Sequence, residues 1–306
     1  MAAVHIKDNF DALRDIFSKR VDSTDSKLRK ILVQVGHCSK SVGAEEILQF
    51  FDEHANESDL VSIAGCDGAC FNAPQVSVIE PTGSKRKFGL VDFEIAASIL
   101  DGNYPSESGT ETYFSTQHRI ALSDCGDIPC DDLGEYIKIG GFQSLVDVLE
   151  SEPAQVIDKV LDAGLKGRGG AYFPAGLKWK AVSELDESNR YLVVNCEEGE
   201  PGVFKDRHLM EGLPYRIIEG AMIGAYSSRA SEIFIYVNAE AHLSTTRIEA
   251  AVKQCYDVGL CGKDVLGSGY GFEVFILHGA GGYVCGEETT LLNTMEGFRR
   301  EPRVRP

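Results

Sequence analysis

The chain is short of positive charge: 30 lysines and arginines stand against 47 aspartates and glutamates in 306 residues, a formal net charge of -17. Nucleic acid and anionic membranes are bound through clustered Lys and Arg that displace counterions, so the balance argues against both as general partners. Any anionic ligand has to be met by a local group of cations. The first residues, MAAVHIKDNFDALRDIF, lack a long apolar run and carry acids, so they read as neither a signal peptide nor a membrane span, and the expected compartment is the cytoplasm. Internal repeats and low-complexity tracts are also missing. The nine cysteines are an odd number, and the spacings of Cys66 with Cys70 and of Cys125 with Cys130 suit metal or redox sites as much as bridges. Most of them read as reduced.

What is present is an ordinary globular composition, 43% hydrophobic and 25% charged, in a chain long enough for two cores. A helix capped by Asp8 is expected over 8–20, a buried strand at ILVQVG (31–36) and a helix from Ala44 to about His54. VSIAG (61–65) and QVSVIEP (75–81) read as strands, and DFEIAASILDG (92–102) as a helix ended by Gly102. The order α, β, α, β, β, α suits a small thioredoxin-like domain over residues 1–102. Between 103 and 140 the chain turns polar and reads as a linker or strap.

From 141 to 306 strands and helices alternate: YLVVNC (191–196), a helical stretch near 206–228, IFIYVN (233–238), a helix from about 240 to 257, FEVFILHG (272–279) and a helix after Gly286. Helices between apolar strands predict an α/β domain with a mostly parallel sheet, which binds ligands at the carboxyl ends of its strands.

Three segments fall at such places. GLKGRGGAYFPAGLKWK (164–180) holds Lys166, Arg168, Lys178 and Lys180 and no acid. It matches neither GxxxxGK[ST] nor GxGxxG, yet bare glycine backbone with Arg168 and Lys178 can meet a phosphate, and Phe173 and Trp179 offer flat faces for a ring. A glycine-rich turn with a solvated basic face is the alternative. NCEEGEPGVFKD (195–206) follows a strand, and its Glu197, Glu198 and Glu200 either accept from ribose hydroxyls and ring N–H groups or form a solvated acidic loop. LHGAGGYVCGEETTLL (277–292) is a strand, a glycine-rich turn and a helix start, where Glu287 and Glu288 are ligand contacts or only partners of the helix dipole. Together the three describe a polar cavity for a nucleotide-like cofactor.

Taken in order and spacing, these segments, with VVNCEEGEPGVFKDRHLMEGLPYRIIEG and GAGGYVCGEETTLLNTMEGFRREPRVRP, resemble one family over about Cys125 to Pro306. It is the flavin-containing, NADH-binding subunit of respiratory NADH dehydrogenases and the related diaphorase subunits of NAD-linked hydrogenases and formate dehydrogenases. The resemblance implies that Gly167, Arg168, Gly169, Gly170 and Lys178 lie against flavin mononucleotide (FMN) and the dinucleotide phosphates. It implies flavin contacts at Asn195, Glu197, Glu198, Tyr283, Gly286, Glu287 and Glu288. For NADH it implies Phe173 on adenine, Glu200 near the nicotinamide ribose and Arg305 near the dinucleotide. No side chain need act as acid or base, because hydride passes between nicotinamide and flavin and the electrons leave singly to iron–sulfur centres of partner subunits.

The sequence departs from the family at Tyr172, where a glycine is usual, at Glu197, where an aspartate is usual, and at Ala181, where an aromatic can stand. The family also continues past the RPRP-like end into a region holding a [4Fe–4S] centre, which the sequence as given does not reach. A non-catalytic, partner-docking scaffold is therefore the alternative function. GCDGACFNAPQVSVIEP (65–81) resembles the second half of the thioredoxin-like [2Fe–2S] domain that accompanies this subunit, with Cys66 and Cys70 as ligands; the first half supplies only Cys38. The fourth position is open to His37 or a displaced cysteine, or the cluster has been lost. Cys125 reads as a packing thiol or a ligand; Cys196, Cys255, Cys261 and Cys285 read as small hydrophobes, and His208, His242 and His278 lack ligand spacing.

Overall fold

Three consecutive apolar residues, Ile31, Leu32 and Val33, are all buried, as expected of a strand covered on both faces, and the first sheet is built around them. The computed structural model describes residues 6–22, 27–279 and 283–304. The chain divides into two units, and neither is one continuous stretch: Arg14–Ile139 with Arg207–Pro214, and Met1–Leu13 with Gly140–Asp206 and Tyr215–Pro306.

The elements of the amino-terminal half are α1 (Ile6–Asp22), β1 (Arg29–Gln34), α2 (His37–Lys40), α3 (Ala44–His54), β2 (Asp59–Ala64), β3 (Val76–Ile79), β4 (Lys85–Phe88), α4 (Phe93–Leu100), α5 (Glu111–Ser115) and α6 (Leu133–Lys138). The sheet order is β2-β1-β3-β4, with β2 parallel to β1 and the other neighbours antiparallel. Its core joins Val33, Phe51, Val76, Phe88 and Ile99. Asp92 caps α4 by accepting the Ile95 N–H at 2.8 Å, and Gly102 beyond it has φ +75°, a left-handed stop that glycine adopts without strain. Arg29 clasps the unit: its guanidinium donates to Asp59 at 2.7 Å and to the carbonyls of Ile99 and Leu100 at 2.9 and 3.0 Å.

Three details differ from expectation. Asp8 lies inside the first turn of α1, which begins at Ile6, so it faces the positive end of the helix dipole and is not a cap. KRKF (85–88) forms a strand, β4, although its charges hide the pattern; it is an edge strand, where lysines discourage further pairing. The polar stretch 103–140 contains α5 and α6, and α6 is started by Asp132, whose carboxylate accepts from Gly134 and Glu135 at 2.7 and 3.2 Å.

The second half contains α7 (Gln143–Leu149), α8 (Pro153–Asp162), α9 (Ala175–Ser183), β5 (Tyr191–Cys196), α10 (Lys205–Gly212), α11 (Pro214–Ser228), β6 (Glu232–Val237), α12 (His242–Asp257), β7 (Glu273–His278) and α13 (Glu288–Met295). The sheet is β5-β6-β7, wholly parallel, with Cys196, Val237 and His278 in register at one edge. The single helical stretch expected near 206–228 is two helices, α10 and α11, because Pro214 disfavours helix at Leu213 and opens α11 as its first residue. No helix among the described residues is long and apolar enough to cross a membrane.

Candidate functional site

The glycine-rich segment is a closed loop. Its base is fixed by N–H bonds from Gly167 to the Phe173 carbonyl and from Ala175 to the Leu165 carbonyl, both 2.9 Å. Gly170 has φ +105°, which demands glycine, whereas Tyr172 takes φ +51° with a side chain attached. Gly169 has no such conformational reason, and a Cβ added there would meet no atom within 4 Å. Its bare backbone faces open space. Arg168, Tyr172, Phe173 and Lys178 are exposed around the loop, while the half-buried Trp179 packs against Gly224 of α11.

The other two segments follow β5 and β7, which flank β6 in parallel, so both lie at the carboxyl end of the sheet. The Asn195 amide donates to the Cys285 carbonyl at 2.9 Å and accepts the Glu197 N–H at 3.1 Å, which ties the end of β5 to the third turn. Glu197 is buried, and its Oε2 lies 2.1 Å from where a Cβ on Gly279 would stand, so the glycine after β7 makes room for this carboxylate. Lys178 of α9 pairs with Glu288 of α13. Beneath the turn, Tyr236, Cys285 and Leu291 form a buried floor with Val193, Leu277 and Met295. Burial pushes the Cys285 thiol up, as it does Cys196, raised to about 12, in keeping with small hydrophobes.

The acids of the site divide by task. Glu198 is buried and accepts the Asp206 N–H at 2.9 Å, stabilising the start of α10. Glu287 is the cap of α13: it accepts the Thr289 hydroxyl at 2.5 Å, the Thr290 N–H at 2.8 Å and the Thr290 hydroxyl at 3.0 Å. The Thr289 hydroxyl and then the Thr290 N–H hold its carboxyl down at about 2. That end of α13 is thus already served by an anion. Glu200 and Tyr283 are exposed, and a Cβ on Gly286 would again meet nothing within 4 Å. Arg305 lies outside the described residues.

Among the cysteines, the ligand atoms of Cys66, Cys70 and His208 all lie within 4.8 Å of one another. The Cys38 thiol is not among these converging atoms. All four belong to the same unit. His37 does not join them; its N–H donates to Glu211 at 2.7 Å. Cys125 donates its thiol proton to the Cys66 carbonyl at 3.0 Å, which fits a packing thiol. Sequence spacing gave His208 no role, since the only signal that finds it is the close packing of α10 against the Cys66 loop. That packing rests on Gly65 and Gly212, where a Cβ on Gly65 would stand 2.1 Å from the Gly212 Cα.

The cationic glycine loop lies between α8 and α9 rather than at a strand end as expected, but Lys178 ties it to the turn after β7; with glycine and acids at the carboxyl ends of β5 and β7, this suits a nucleotide-type cofactor. Residues 160–306 match the family model of the Nuo51 FMN-binding domain. Among curated relatives, the NADP-reducing hydrogenase subunit HndC of Solidesulfovibrio fructosivorans is 40% identical over 62% of this chain and 39% of its own length. An NADH-quinone oxidoreductase subunit from Aquifex aeolicus is 41% identical over 57% of this chain and 41% of the relative, and its counterpart from Escherichia coli is 42% identical over 57% and 40%. The chain spans about two fifths of the length of these relatives. A solved NAD+-reducing [NiFe]-hydrogenase in the H2-reduced state superposes with a TM-score of 0.49 at 24% identity, over 97% of this chain and 53% of that one, too weak a likeness to argue from.

Proposed function

We propose that residues 141–306 form the FMN- and NADH-binding domain of a diaphorase module, which transfers hydride between NADH and FMN and serves iron–sulfur subunits of a larger NADH dehydrogenase, hydrogenase or formate dehydrogenase complex. Its place would be in the cytoplasm or on the cytoplasmic face of a membrane. The observation that carries the reading is the pair Gly169 and Gly286: neither has a positive φ, neither would clash on gaining a Cβ, and their segments are tied by the Lys178–Glu288 pair. Glycine there leaves room for something outside the protein. In this the residues present fit a flavin.

When bound, FMN supplies a two-electron acceptor that can release electrons one at a time. The chain's own groups bind and orient. The backbone from Arg168 to Gly170 and the Arg168 side chain offer N–H groups and charge to phosphates, with Lys178 paired to Glu288. Asn195 fixes the third turn, and Glu197 presents a buried acceptor beside it. Phe173 is 52% exposed and free to cover an adenine ring, and Glu200 is placed to accept from ribose hydroxyls.

The reading is tested by loading the purified chain with FMN and separating bound from free flavin. One FMN per chain, weakened by Gly169→Val with the melting temperature unchanged, supports it. A colourless protein that takes up no flavin overturns it and favours the scaffold alternative.

A further inference from the structure

The donors around Cys66 do not suit the [2Fe–2S] cluster that the resemblance suggests. Such a cluster takes four ligands in two pairs, one pair on each iron, with bridging sulfides holding the pairs apart. Here Cys66 Sγ, Cys70 Sγ and a His208 ring nitrogen converge within 4.8 Å, a group that Cys38 does not join, while the nearby Cys125 thiol is turned to the Cys66 carbonyl. A single tetrahedral zinc ion, with Zn–S near 2.3 Å and Zn–N near 2.0 Å, sets its ligand atoms roughly 3.3 to 3.8 Å apart. Convergence on one point is the geometry of one ion.

We propose that Cys66, Cys70 and His208 hold one zinc ion, with Cys38 of the same unit closing on it as the fourth ligand to complete a structural Cys3His site. The C-x3-C spacing of Cys66 and Cys70 is ordinary for such a site, and four protein ligands leave no open position for chemistry. Three of the ligands are pre-arranged. Asp67, between the two cysteines, accepts the Ala69 N–H at 3.0 Å and the Gln75 amide at 3.0 Å, and the Gln34 amide at 3.2 Å. Gln34 in turn accepts the Asp67 N–H at 3.1 Å, and these three side chains are buried. On the other side, Glu211 accepts the His37 N–H beside Cys38 at 2.7 Å and fixes the helix that carries His208. The ion would fasten the detached segment Arg207–Pro214 to the sheet of its own unit.

The test uses the full chain, purified anaerobically from iron- and zinc-replete cells and assayed for metals and acid-labile sulfide. One zinc per chain without sulfide, and X-ray absorption showing three sulfur ligands and one nitrogen, are expected. Anaerobic treatment with ferrous iron and sulfide should leave no cluster signal. Two irons and two sulfides per chain in either preparation, or no metal at all, would overturn the proposal. His208→Ala and Cys66→Ser should each weaken zinc binding by more than the about 10- to 100-fold that losing an orienting partner costs. Cobalt uptake by the wild type, read from thiolate charge-transfer bands with tetrahedral ligand-field intensity, keeps the test decisive if a variant fails to fold; octahedral spectra would refute it.

Discussion

Gly279→Ala probes the site where packing and function meet. The added methyl would stand 2.1 Å from Glu197 Oε2, 3.0 Å from Glu197 Cδ and 3.0 Å from the Val237 carbonyl oxygen. The carboxylate can swing aside, because it is the far end of a flexible chain. The carbonyl cannot yield as cheaply, since it ends β6 and accepts the Gly279 N–H at 2.7 Å. Overpacking of this kind costs about 1 to 3 kcal/mol, a fall in melting temperature of roughly 2 to 12 °C for a unit of this size. Glu197 is displaced as well, so FMN binding should weaken by more than the loss of stability explains. Calorimetry with and without FMN measures both effects. Gly286→Ala is the control: its methyl meets nothing within 4 Å, so melting should move by less than about 2 °C while FMN binding still falls. If Gly279→Ala left melting and flavin affinity unchanged, the placement of Glu197 against this glycine would be wrong.

Glu287 gives a prediction in pH. Its carboxyl is held at about 2 against an ordinary 4.5, so its contribution is complete above the ordinary value and is lost as pH falls through the depressed one. The advantage of the wild type over Glu287→Gln in urea unfolding should therefore be constant near neutrality and vanish between pH 4.5 and about 2; an advantage that grew on acidification would contradict the cap. Arg29→Met leaves Asp59 buried without its partner and should cost about 3 to 5 kcal/mol in the same assay, with a loss below 1 kcal/mol counting against the clasp. Phe173→Ala should raise KM for NADH with ferricyanide as acceptor while FMN stays bound, because the ring is assigned to the substrate; loss of FMN would show that the division of the site is wrong.

How far the sequence could be read depended on whether a residue's role is local. The strands β5, β6 and β7 are legible to within a residue because each is a largely apolar run, although only the central β6 is mostly buried. β4 is not legible, since an edge strand of KRKF shows no alternation that distinguishes it from a charged turn. The glycine loop and the acidic strand ends were visible as composition, yet the ties that join them, Asn195 to Cys285 and Lys178 to Glu288, span 90 and 110 residues and have no sequence signature. Glu287 shows the reverse case. Two readings were open, and the structure gives its carboxylate to the α13 cap, the local role that an acid before ETTLL offers. His208 was passed over because ligand spacing is a local criterion, and here the histidine reaches Cys66 and Cys70 only through the fold.

The most direct measurement of the central claim is an anaerobic titration of the FMN-loaded chain with NADH, followed by the flavin absorbance. The expected result is one FMN per chain, bleached by one equivalent of NADH and restored by ferricyanide. A chain that binds FMN but is not bleached by excess NADH, or that binds none, would contradict it.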